Sequence, residues 1–280
     1  MNKIIDGKLL QQDFKKELQK KVDGIKDKLK LVVIQVDNNL SSDIYVKTKV
    51  KLCQEMGILF EYKKFDYILE DELILEIEKL NNDLSVTGIL VELPLPEYIN
   101  QNRVIEAISF YKDVDGLTSY NVGRLSNGID GIIPCTALSI INILDKINMN
   151  LSGINVVIVG KSRLVGMPLI KLLLDKSATV ISCNSKTKNL KKLTSLADVL
   201  IVAIGEKEFI DDTYIKKGAV VIDVGVNVIN NKIYGDCNFE KMIEKCSYIT
   251  PPVGGVGPLT NVMVINNLIC LYNLQNNDLK

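Results

Sequence analysis

Apolar positions along the chain set the first expectations. Leu10, Phe14, Leu18, Val22 and Ile25 recur three or four residues apart with charges between them, predicting an amphipathic helix. Residues 31–36 form a short apolar run rich in β-branched side chains, the pattern of a strand covered on both faces. Ser41 and Ser42 suit the cap of a second helix that runs to about Met56 and stops at Gly57. An extended stretch over 59–65 follows, then a helix carrying Leu73, Ile77 and Leu80. The next strand spans 88–91, closed by Pro94 and Pro96 because proline cannot continue a ladder. From Pro134 the alternation restarts with a helix over 136–147 and strands over 155–159, 179–183, 199–204 and 219–224. A Pro/Gly-dense stretch, 251–258, interrupts before a final apolar helix to about Leu274. Strands alternating with helices predict an α/β fold of doubly wound parallel sheets with helices on their faces.

Composition narrows the chemistry. The chain has 280 residues, 47% hydrophobic and 24% charged, which suits one large globular domain or two small ones. Its 34 basic and 34 acidic residues cancel, so there is no overall attraction to phosphate backbones, and no nucleic-acid partner is expected. Histidine is absent. That excludes a Ser-His-Asp triad, a Cys-His pair and any His-ligated metal, and leaves Lys, Tyr, Asp, Glu or Cys to move protons. No two of the six cysteines stand at metal-ligand or Cys-x-x-Cys spacing, so they read as reduced core thiols with no metal site. No apolar stretch approaches the roughly 18 residues that span a bilayer, and residues 1–8 carry charges where a leader would be apolar. A cytoplasmic protein without a membrane partner is expected.

Three constellations could carry chemistry. After the strand at 155–159 comes Gly160-Lys161-Ser162-Arg163-Leu164-Val165-Gly166-Met167-Pro168, then a helix. Glycines at a strand-to-helix turn let backbone approach a pyrophosphate, and the helix start supplies free N–H donors. The spacing is not G-x-G-x-x-G, and a plain turn uses glycine too. The following strand ends in Asn184-Ser185-Lys186 rather than an acid. With Lys161 and Arg163 nearby, this favours NADP over NAD. Second, Tyr45 and Lys49 stand four apart on one helix face, where a ring can stack a flat ligand beside an ammonium. An amphipathic helix with a core tyrosine and a solvated lysine gives the same spacing. Third, Glu92 ends its strand, where open α/β sheets bind ligands, and Lys112-Asp113-Val114-Asp115-Gly116 follows. A carboxylate there can accept two hydrogen bonds from an aminopyrimidine-like edge; equally, these are ordinary strand-end and turn residues.

Together the segments form a pattern over nearly the whole chain. Tyr45-x-x-x-Lys49, Gly88-Ile-Leu-Val-Glu92-Leu-Pro-Leu-Pro96, Lys112-Asp-Val-Asp-Gly116, Gly160-Lys-Ser162, Val165-Gly-x-Pro168 and Pro252-Val-Gly-Gly-Val-Gly-Pro258 occur in that order. The chain resembles the bifunctional methylenetetrahydrofolate dehydrogenase/cyclohydrolase family. The resemblance implies a two-domain homodimer of one-carbon metabolism that uses NADP and a folate substrate. Residues 1–118 with 260–280 would form the catalytic domain, onto which the last helix packs back, and 119–259 a Rossmann-like domain. Folate would lie in the cleft between them. One step moves a hydride from 5,10-methylenetetrahydrofolate to the nicotinamide; the other hydrolyses the methenyl cation to 10-formyltetrahydrofolate. By the same resemblance Lys49 is the catalytic lysine, Tyr45 stacks on folate and Asp115 holds the pterin edge. Gly160, Lys161, Ser162, Ser185 and Val226 would line the NADP site, and the 254–258 loop, with Gly255 and Pro258, would border the folate.

The chain departs from the family at one telling position. Glu92 stands where the family usually has a glutamine that contacts the lysine. To act as base Lys49 must spend time neutral, and an ionised Glu92 opposes that, though it could take the proton itself. The expectation is that dehydrogenation survives and hydrolysis is altered or reduced. Lys161 and Asn184 replace an expected arginine and histidine; lysine keeps charge but loses the bidentate fork, which weakens the NADP preference. Competing readings are a dehydrogenase impaired in hydrolysis, another NADP-dependent dehydrogenase of the shikimate type, and a silent nucleotide-binding protein. The presence of Lys49 and Asp115 argues against the last two.

Overall fold

The computed structural model describes residues 3–37, 40–230 and 232–277, of which 40–45 and 277 are described by backbone alone. The chain divides into two compact units, 14–135 with 261–280, and 1–13 with 136–260. In chain order the first elements are α1 (Gly7–Asp23), β1 (Lys30–Val36), α2 (Leu40–Glu55), β2 (Leu59–Phe65), α3 (Glu70–Asn82), β3 (Gly88–Val91), α4 (Gln101–Ala107) and α5 (Ser119–Ser126). The three strands form a parallel sheet in the order β2-β1-β3, in register Lys30↔Leu59 and Leu31↔Gly88. Central β1 is buried from Leu31 to Val36, which is why its sequence is apolar at every one of these positions but Gln35 instead of alternating. Leu73, Ile77 and Leu80 of α3 pack on Val32, Ile34 and Ile89, as their spacing predicts. Because the sheet grows to one side of β1 through β2 and to the other through β3, chain leaving β1 and β3 parts in opposite directions. Such a switch point opens a crevice at the strands' carboxyl ends.

The remaining elements are α6 (Cys135–Lys146), β4 (Asn155–Val159), α7 (Gly166–Asp175), β5 (Thr179–Cys183), α8 (Leu190–Thr194), β6 (Val199–Val202), β7 (Val220–Asp223), β8 (Asn227–Ile229), β9 (Lys232–Tyr234), α9 (Phe239–Met242), β10 (Tyr248–Ile249) and α10 (Val256–Asn277). The second unit's parallel sheet runs β10-β7-β6-β4-β5, the doubly wound order in which β4 and β6 flank the switch point. Ile4 adds a bridge to Ile249 at the far edge.

Several boundaries differ from the sequence pattern for local reasons. α1 stops at Asp23, leaving Ile25 outside, and α2 begins at Leu40, so Ser41 and Ser42 lie in its first turn with side chains outside the described residues. β6 ends at Val202 because the N–H groups of Ile204 and Gly205 bond to the Asp236 carboxylate instead of a neighbouring strand. α10 already begins at Val256, so Gly257 and Pro258 belong to its first turn, where a missing proline N–H costs no hydrogen bond. The short α4, α5 and the β8–β9 hairpin escape the pattern because so few residues establish no period.

Residues 261–277 of α10 complete the first unit. Gly88 lets the helix pack close to β3: a Cβ there would lie 2.7 Å from Leu268 and 2.2 Å from Val114. Asn267 Nδ2 donates to the carbonyls of Val114 (2.9 Å) and Ile133 (2.8 Å) and lies 3.3 Å from Cys135 Sγ. All six cysteines are free thiols, five of them buried. No helix of the described residues is long and apolar enough to cross a membrane. Truncating Asn267 strips the Ile133 carbonyl of this donor and leaves the Val114 carbonyl only the weak Cys135 thiol at 3.5 Å, so Asn267→Ala is expected to lower stability by about 1–3 kcal/mol in urea unfolding monitored by circular dichroism.

Candidate active site

Lys49 lies in the third turn of α2 and Glu92 immediately follows β3, at the switch point of the first unit. Glu92 is anchored by its own N–H, which donates to the Ile34 carbonyl of β1 at 2.8 Å. Lys49 Nζ meets Glu92 Oε1 at 2.7 Å, with the side chains only 8% and 11% exposed. An ion pair this dry loses much hydration, and removing one partner strands the other charge. One turn farther along α2, burial pushes the Cys53 thiol up to about 12, although the Lys49 charge pulls it down. The backbone of Tyr45 lies in α2; its side chain lies outside the described residues.

The 112–116 loop is built so that one carboxylate is left for other work. Lys112 is buried and donates to the carbonyls of Leu80 (2.9 Å) and Asp83 (2.7 Å) at the end of α3; burial lowers its proton affinity. Asp113 is 1% exposed, and its Oδ2 accepts from the Thr118 N–H (2.8 Å) and Asn121 Nδ2 (2.9 Å). It is therefore a structural acid that holds the start of α5, the plain turn role its sequence position allowed. Gly116 turns the chain at φ +65°, where a Cβ would lie 2.6 Å from the Ile132 carbonyl. Between these anchors Asp115 stays half-buried. Burial first, then repulsion from Asp113 and Glu92, pushes it up to about 6, against the pull of a Cys135 hydrogen bond and the Lys49 charge. Lys49, Glu92, Asp115 and Cys135 thus form one electrostatically coupled group.

In the second unit, β4 runs into Gly160 at φ +126°, a conformation side chains resist. A Cβ there would lie 2.2 Å from the Ala203 carbonyl after β6, so glycine lets the two strand ends converge. A Cβ on Gly166, the first residue of α7, would lie equally close to the Gly160 carbonyl. Lys161 and Ser162 are exposed between them, and Ser162 Oγ accepts from the Val165 N–H at 3.2 Å. After β5, Asn184 Oδ1 accepts from the Lys186 N–H, Ser185 is exposed, and no acid stands there. Val226 is half-buried after β7. Gly255 lies just before α10, where a Cβ would lie 2.4 Å from the Pro251 carbonyl, and Pro258 is in that helix's first turn. The glycine turn, exposed positive charge and absence of a carboxylate fit a phosphorylated dinucleotide.

Sequence reasoning missed three supports. Asp223 is 4% exposed and accepts N–H bonds from Gly225, Asp236 and Cys237, while burial pushes it up to about 7. Asp236 is fully buried and accepts from the Ile204 and Gly205 N–H groups and from Asn227 Nδ2. These two acids tie together the loops leaving β6 and β7. The available signal was a glycine beside each acid: a Cβ on Gly225 or Gly235 would overlap the facing carboxylate. Cys135, buried at the start of α6 beside Asp115, is the third; a lone cysteine in an apolar context offers no such signal.

Comparison with known proteins agrees with this geometry. Residues 5–115 match the catalytic-domain model of tetrahydrofolate dehydrogenase/cyclohydrolase, and 134–276 match its NAD(P)-binding-domain model. The bifunctional protein FolD of Thermodesulfovibrio yellowstonii is 47% identical over 277 residues, covering 97% of each chain. The crystal structure of the bifunctional FolD dehydrogenase/cyclohydrolase of Campylobacter jejuni superposes with a TM-score of 0.92 at 40% identity, covering 97% of this chain and 99% of that one. The Trypanosoma brucei enzyme, solved with NADP cofactor and an inhibitor, superposes at 0.93 with 28% identity over 97% of each chain. With both of its regions matched in order and relatives this similar over their full length, the chain belongs to the tetrahydrofolate dehydrogenase/cyclohydrolase family.

Proposed function

We propose that this chain oxidises 5,10-methylenetetrahydrofolate with NADP and hydrolyses the 5,10-methenyl product to 10-formyltetrahydrofolate. The observation that carries this reading is the dry Lys49–Glu92 pair at a switch point, electrostatically coupled to Asp115. Asp115 is the group that holds the pterin edge: its neighbours Lys112 and Asp113 are consumed by the fold, and its carboxylate can accept paired N–H donors. Tyr45, on the same helix as Lys49, is assigned to stacking on the folate. When bound, NADP supplies the hydride acceptor. Gly160, Lys161, Ser162, Ser185 and Val226 would hold it, with Lys161 facing the additional phosphate. Hydride transfer asks the protein mainly for position, whereas hydrolysis asks for proton movement, which falls to the Lys49–Glu92 pair. A homodimer in the cytoplasm belongs to the same reading, and light scattering at twice the 31.2 kDa chain mass tests the dimer.

The direct test supplies 5,10-methylenetetrahydrofolate with NADP or NAD and follows reduced nicotinamide and methenyl product by absorbance. Reduction with NADP ahead of NAD is expected; no reduction of either cofactor overturns the reading. Lys161→Ala is expected to raise the KM for NADP about tenfold while leaving the KM for NAD nearly unchanged, since only the charge facing the extra phosphate is lost.

Asp115→Asn separates binding from stability. The folded chain holds the Asp115 proton up to about pH 6, above the ordinary carboxylate range, so the native state binds more protons than the unfolded one in between. Its contribution is therefore favourable below about pH 4 and lost as pH rises through about 6. The variant is expected to bind folate at least about tenfold more weakly, yet to unfold on the order of 1–3 kcal/mol later than wild type near neutral pH, with the gain vanishing near pH 4. Steady-state kinetics and denaturant unfolding at both pH values check the two halves.

A further inference from the structure

Hydrolysis of a methenyl cation needs a group that takes a proton from water. Lys49, as the ammonium half of an ion pair, has three N–H donors and no lone pair to accept one. Glu92 is differently placed. Its Oε1 accepts from Lys49 at 2.7 Å, and Oε2 has no hydrogen-bond partner among the described residues. The side chain is nine-tenths covered, and its backbone is fixed to β1. Among the described residues, the other ionisable groups around the pair are spoken for. Asp113 is bonded to Thr118 and Asn121. Burial holds the thiols of Cys53 on α2 and Cys135 on α6 in their protonated form. Asp115 faces the pterin in the reading above.

Resting on that folate reading, we propose that Glu92 is the general base of the hydrolytic step, with Lys49 as its paired proton donor. The water oxygen bonds to the methenyl carbon while one water proton passes to Glu92, and the C=N electron pair returns to nitrogen, leaving a neutral adduct. The bond from that carbon to N5 then breaks. Lys49 gives a proton to N5, the adduct hydroxyl gives its proton to Lys49, and the freed oxygen pair forms the formyl C=O. Glu92 finally releases its proton to solvent. Methenyl cation and water thereby become the 10-formyl product and one proton. A glutamine at this position can orient Lys49 but cannot take the proton, so in this chain base and donor are two residues held 2.7 Å apart.

The test measures both activities in one preparation of Glu92→Gln, from pH 6 to 9, as the ratio of methenyl decay to NADP reduction. Taking the ratio cancels differences in folded fraction. The ratio is expected to fall at least about tenfold near pH 7, because a glutamine amide cannot take the proton from water. Glu92→Asp, which keeps a carboxylate on a shorter arm, should restore part of the ratio. A ratio for Glu92→Gln equal to or above wild type across the range overturns the proposal. So does wild-type protein that reduces NADP but clears methenyltetrahydrofolate no faster than buffer. Wild-type protein that reduces neither NADP nor NAD instead overturns the folate reading itself.

Discussion

A charged side chain taken out of water must find partners within the protein, and much of this molecule's local architecture answers to that constraint. Lys112 caps the carbonyls at the end of α3, Asp113 gathers the start of α5, and Asp223 and Asp236 collect the N–H groups of the loops after β6 and β7. In each case the buried charge serves backbone where a strand or helix ends and regular hydrogen bonding stops. The backbone groups that a ladder no longer serves are the ones these side chains serve. Rigid loops at strand ends follow from this, and both candidate sites are made of such loops.

Against that background the Lys49–Glu92 pair stands out by what it leaves over. The structural charges are bonded mainly to backbone or amide groups that cannot change protonation state, with the buried Cys237 thiol beside Asp223 as the exception. Glu92 bonds to another titratable group and keeps one oxygen unengaged among the described residues. Two groups that can exchange a proton, shielded from solvent and close to a half-buried acid, suit chemistry better than stability.

Much of the fold could be read in the sequence because its signals are strong. A strand covered on both faces, such as β1, is apolar at nearly every position, and a helix over a sheet shows the spacing of Leu73, Ile77 and Leu80. The two-unit α/β architecture and the glycine turn after β4 follow from the same kind of evidence. Strand ends were less legible: β6 stops at Val202 because Asp236, more than thirty residues away in sequence, claims the next N–H groups. Asp113 and Asp115 are two residues apart with identical side chains, and only their surroundings separate a backbone anchor from a carboxylate bonded to a buried thiol. Cys135 and Asn267 were invisible for the same reason, since their contacts join segments far apart in the chain.

Asn267 also bears on how the protein is made. The strands of the first unit are synthesised early, but the clamp on the carbonyls of Val114 and Ile133 comes from the last helix. Between them in sequence lies nearly all of the second unit, a compact body in its own right. During vectorial synthesis that body can form while its predecessor still waits for α10. The Val114 carbonyl beside Asp115 therefore receives its Asn267 donor only when translation has reached α10, so a ribosome-bound intermediate carries Lys49, Glu92 and Asp115 before that clamp exists.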